Sequence, residues 1–107
     1  MNIGSLYQNK KYCWLVYPSK DIAQTIAADM PLLSDTAMMY ASAAARWASF
    51  CSNKLNCTVS FISPSTVFVL LEQDGGYCKI LSTNGELSWI IYPESKEWKD
   101  DIEEVKQ

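Results

Sequence analysis

The hydrophobic and polar positions between residues 67 and 92, VFVLLEQDGGYCKILSTNGELSWIIY, set the most regular pattern in the chain and predict three short strands joined by two tight turns. The first strand, β-branched and aliphatic over 67–71, stops at Gln73-Asp74-Gly75-Gly76, where glycine supplies the positive φ that a hairpin needs. A second covers 77–81 and ends at Thr83-Asn84-Gly85, whose Asn-Gly pair predicts a type I′ turn; the third covers 87–92. Upstream, CTVSFI over 57–62 alternates with period two and predicts another strand, closed by Ser63-Pro64-Ser65.

The N-terminal half mixes periods. Residues 3–7 predict a short strand. Residues 11–17, KYCWLVY, predict a better one, with Cys13, Leu15 and Tyr17 on one side and Tyr12, Trp14 and Val16 on the other. Both sides are apolar, so the strand is either buried twice or leaves an aromatic face free. From Ser19, a helix N-cap, Ile22, Ile26 and Met30 recur every four residues until Pro31 ends the helix. A longer helix is predicted over 35–53, opened by Ser34-Asp35 and rich in alanine, with Arg46 its one interior charge. Its small side, Ala37, Ala41, Ala44, Ala45 and Ala48, fits close packing against a sheet, or self-association with a second copy. After Pro93, Trp98, Ile102 and Val105 fall at helical spacing among acids and lysines and predict a C-terminal helical turn.

At 107 residues the pattern fits one domain: N-terminal strands over 1–18, a helical insertion over 19–56, the meander over 57–93 and an acidic amphipathic tail over 94–107. The net charge of −3 sits in that tail; residues 1–93 carry as many cations as acids. Lys10-Lys11 is the one adjacent basic pair, which argues against a nucleic-acid partner. Histidine is absent, so a Cys–His nucleophile is not buildable, and Cys13, Cys51, Cys57 and Cys78 form no C-x-x-C pair. No metal or other cofactor is expected. No Gly-x-Ser-x-Gly elbow or glycine-rich phosphate loop occurs, so an enzyme is not expected. The N-terminus lacks the apolar run of a signal peptide and no stretch is long enough for a membrane span, which predicts a cytoplasmic protein with reduced cysteines and no membrane partner.

Residues 58–92 resemble the second half of a small SH3-like barrel. Gly85, Trp89 and Ile90 match its terminal Gly-x-x-Gly-Trp-aliphatic motif, and Ser88 stands where the pattern has its second glycine. A fainter resemblance is to small uncharacterised proteins of bacteriophages that infect photosynthetic bacteria, which would place the chain in the host cytoplasm. The SH3-like resemblance implies an α+β protein: a small antiparallel barrel or bent sheet carrying the alanine-rich insertion. It also implies a groove that binds an extended peptide or protein segment through aromatic side chains. The candidates near the predicted strand ends and turns are Tyr77, Trp14, Tyr17, Trp89 and Tyr92, with Glu72 and Asp74 beside Tyr77 to attract a basic ligand. Self-association through the alanine side of the long helix is the alternative.

Overall fold

The computed structural model describes residues 2–29, 41–92 and 101–106. It is an α+β fold in which strands come as β1 (Leu6–Asn9), β2 (Trp14–Val16), β3 (Ser60–Ile62), β4 (Val67–Asp74), β5 (Tyr77–Ser82), β6 (Leu87–Ile91) and β7 (Ile102–Glu104). Helices α1 (Lys20–Asp29) and α2 (Ala41–Leu55) lie between β2 and β3 in the chain. Ser19 caps α1 as its pattern predicts: its Oγ accepts the Ile22 N–H at 3.2 Å. Ile26 and Ala23 are fully buried. Met30 and residues 35–40 of the predicted helices lie outside the described residues.

Among the described residues all strand pairs are antiparallel, in a five-stranded sheet ordered β6-β5-β4-β1-β7 and a two-stranded sheet β2-β3. The two sheets meet where the Tyr17 and Trp89 N–H groups each donate to the other's carbonyl at 2.8 Å. Among the described residues the strands do not close into a barrel; the sheet ends at β7. The predicted meander is present as β4, β5 and β6. Its second turn differs from expectation: the Gly85 N–H donates to the Ser82 carbonyl at 2.9 Å, Gly85 has φ 84°, and Asn84 is not left-handed. That is a three-residue loop closed by a left-handed glycine, not a two-residue type I′ turn. A register shift between Leu70 and Glu72 adds one residue to β4, so that Glu72 lies opposite Lys79 and alternation then resumes toward Gly75, at φ 61°.

Strand β2 is buried on both sides, and its alternation divides the interior in two. Cys13, Leu15 and Tyr17 join Ala23, Ile26, Ala44, Ala48, Cys51 and Val59 in a core beneath the helices. Trp14 and Val16 join Tyr7, Phe68, Leu70, Cys78, Ile80, Ile90 and Tyr92 in a core against the large sheet. A strand so enclosed needs apolar residues at consecutive positions, which is what KYCWLVY provides.

The C-terminal end departs from the helical expectation. Residues 102–104 form strand β7 beside β1, with Ile102 opposite Asn9 and Glu104 opposite Tyr7, and the Val105 N–H donates to the Leu6 carbonyl at 2.9 Å. Three apolar residues at helical spacing make a weak isolated helix, whereas the β1 edge offers ready ladder partners. Trp98 lies outside the described residues. Asp101 anchors the segment: 2% exposed, it accepts the Lys11 N–H at 2.7 Å and the Trp14 indole N–H at 2.6 Å, while its carbonyl accepts the Lys10 N–H at 2.9 Å. Asn9, fully buried, performs the same service for the 63–66 turn. Its amide donates to the Tyr12 and Ser63 carbonyls at 2.8 and 3.0 Å and its oxygen accepts the Thr66 N–H at 3.1 Å.

Candidate interaction surface

Helix α2 begins in an alanine-rich run of high intrinsic helicity. It ends where Asn56 turns left-handed at φ 50°. In its last turns the Ser52 hydroxyl donates to the Ala48 carbonyl at 2.7 Å and accepts the Val59 N–H at 2.8 Å, tying the helix end to the approach to β3. Its rotation is set by Ala44, Ala48 and Cys51, spaced four and three apart and buried to 0%, 5% and 0%. Small side chains let the helix axis lie close to β2 and β3.

That rotation turns the large residues outward. Trp47 and Phe50 are 39% and 48% exposed, and their rings meet edge to face at 5.7 Å. Arg46, Phe50 and Lys54 follow at four-residue spacing, and Ala43 and Trp47 lie beside them, so these five positions make one band. Arg46 and Lys54 are exposed, α2 contains no acidic residue, and neither cation is in an ion pair among the described residues. The band is therefore aromatic and basic; exposed aromatics with arginine beside them are the residue types enriched at interfaces, and Lys54 stands at its edge.

The strand-end aromatics named from the sequence do not assemble into one surface. Trp14, Tyr17 and Tyr92 are 4%, 2% and 8% exposed. Trp14 stacks on Tyr92 at 6.0 Å and its indole N–H is held by Asp101. Burial raises the Tyr17 and Tyr92 phenols above their ordinary value, as expected for groups enclosed in the core. Tyr77 and Trp89 are half-buried; Tyr77 packs on the helix-side core and Trp89 lies opposite Lys79 in the register. Glu72 is exposed, and Asp74 forms an ion pair with Lys20 at the start of α1, so the acid meant for a basic ligand is engaged within the chain.

Of the alanines named for self-association, Ala44 and Ala48 are enclosed in the chain's own core, Ala41 and Ala45 are exposed, and Ala37 lies outside the described residues. Burial pushes the Cys13 and Cys51 thiols up and the Cys78 thiol up to about 11, so these cysteines pack as small apolar groups rather than as thiolates. Among the described residues no cluster of potential metal ligands occurs, and no helix is long and apolar enough to cross a membrane.

Trp47 and Phe50 are among the large residues that the sequence places around the alanine side of the helix, but they are not among its candidate contact residues. The signal that singles them out is two aromatics three apart, with cations four residues before and after Phe50. No family model matches the chain, and no curated protein or solved structure gives a significant match.

Proposed function

We propose that this chain is a non-catalytic protein-interaction module whose contact surface is the outer flank of α2. The supporting observation is the Trp47–Phe50 pair, two large rings left 39% and 48% exposed on a helix whose core contact is made by alanine and cysteine. Covering both rings would contribute roughly 2–4 kcal/mol, enough for the pair to anchor a modest interface. The SH3-like resemblance of residues 58–92 enters as the reading of the meander alone, supported by the β4-β5-β6 succession and by Gly85 and Trp89 at the motif positions. The ligand groove it implies has less support, because Trp14, Tyr17 and Tyr92 are core residues.

Self-association is the other reading of the same helix. Ser42, Ala45 and Ser49 form a small exposed stripe next to the band, across which a second copy could approach closely.

The test compares the wild type with a Trp47→Ala/Phe50→Ala variant by light-scattering mass over a wide concentration range and by in-cell cross-linking. The proposal expects either a larger mass or a set of cross-linked neighbours that the variant loses. Identical mass and identical neighbours in the two proteins would refute it.

A further inference from the structure

The charges around the aromatic pair specify what kind of partner it fits. Resting on the proposed interface, we infer that the α2 band takes an acidic amphipathic segment of another protein. The apolar side chains of that segment would cover Trp47 and Phe50, and its carboxylates would meet Arg46 and Lys54.

Three observations converge on this chemistry. Arg46 and Lys54 stand four residues either side of Phe50, so a segment seated on the rings meets a cation at both ends. Both cations are exposed and in no ion pair among the described residues, so their charge is available to a partner's carboxylates. Helix α2 has no acid that would repel the incoming carboxylates. Arginine beside exposed aromatics suits carboxylates particularly well, because its planar fork binds them in two places while its face lies along a ring.

A basic and aromatic helix face could also rest on an anionic membrane or a nucleic acid. The charge count favours protein: the band holds two cations on a chain of net charge −3, whereas surface-bound helices collect clusters of about four to eight. A partner that supplies its own carboxylates in register needs no such cluster.

The experiment measures binding of labelled synthetic peptides by fluorescence anisotropy. One peptide has leucine and phenylalanine at helical spacing with glutamate and aspartate between; a second replaces every acid by lysine; a third replaces every apolar residue by serine. The acidic amphipathic peptide binds, the other two do not, and added salt weakens the complex. Arg46→Glu with Lys54→Glu weakens binding about tenfold or more. Trp47→Ala with Phe50→Ala weakens it on the order of a hundredfold.

Failure of the acidic peptide to bind, equal binding of the lysine peptide, or indifference to the charge reversal overturns the inference. So does co-sedimentation with phosphatidylserine vesicles that depends on the same four residues, which would assign the band to a membrane. Failure of the acidic chemistry is separable from failure of the interface. If Trp47→Ala/Phe50→Ala still changes native mass or cross-linked neighbours, the interface stands with a different partner; if it changes neither, both fall. Circular dichroism confirms that each variant is folded.

Discussion

The two sides of α2 invert the usual order. Its inward side is built from Ala44, Ala48 and Cys51 and is almost completely enclosed, while its outward flank holds Trp47 and Phe50, by far the larger residues. The small side carries the fold because it permits close approach to β2 and β3; the large residues stand where the fold does not require them. The same contrast holds for polar groups. Asp101 and Asn9 are buried with their side-chain oxygens engaged, whereas Arg46 and Lys54 face outward in no ion pair among the described residues. Inward groups are therefore expected to govern stability and the outward band to govern association.

Asp101→Ala should have the largest effect. It removes the buried carboxylate that accepts the Lys11 N–H and the Trp14 indole N–H and loosens β7, for a loss of about 3 kcal/mol in urea unfolding. Asp101→Asn, which keeps one acceptor oxygen, should lose less. If Asp101→Ala unfolds at the wild-type midpoint, the buried anchor contributes nothing.

Ala44→Leu adds volume at a fully enclosed position on the side of α2 that faces β2, and should cost about 2 kcal/mol. Ala45→Leu, one residue along on the exposed surface, should change stability by under about 0.5 kcal/mol. A reversed ranking would show that the helix is rotated from the orientation described.

Alkaline pH probes the buried side without mutation. The Cys78 thiol ionises near 9.0 when free and near about 11 when buried. The folded chain therefore holds a proton that the unfolded chain gives up. Its contribution is complete below pH 9.0 and declines as pH rises from there through about 11, by at most about 1.4 kcal/mol per pH unit. Tyr17, Tyr92, Cys13 and Cys51 are shifted in the same direction by burial and steepen the decline. Urea midpoints recorded across this range check it, and Cys78→Ala should flatten the slope.

Much of the inward side is legible in the sequence. The double-sided apolar run KYCWLVY predicts a strand either buried on both faces or with one aromatic face free; the structure has the first, and the alternation assigns residues to the two cores as found. The meander, the Ser19 cap and the presence of helices between β2 and β3 follow from local patterns. What escapes is nonlocal. Asp101 looks like one more acid in a charged tail, and only the arrival of Trp14 and the Lys11 amide makes it a buried anchor. Residues 102–104 become a strand because β1 offers an edge, a fact about sequence positions far away. The burial of Trp14, Tyr17 and Tyr92 likewise depends on the helices that cover one core and the large sheet that closes the other. An aromatic strand end reads the same in sequence whether it is open or enclosed.

The most direct test of the division between the two sides is the urea unfolding free energy of the Trp47→Ala/Phe50→Ala double variant. If the aromatic band serves contact and not the fold, removing both rings leaves stability within about 1 kcal/mol of the wild type. A loss of about 3 kcal/mol or more, the cost of truncating enclosed aromatics, would place Trp47 and Phe50 in the core and contradict the account.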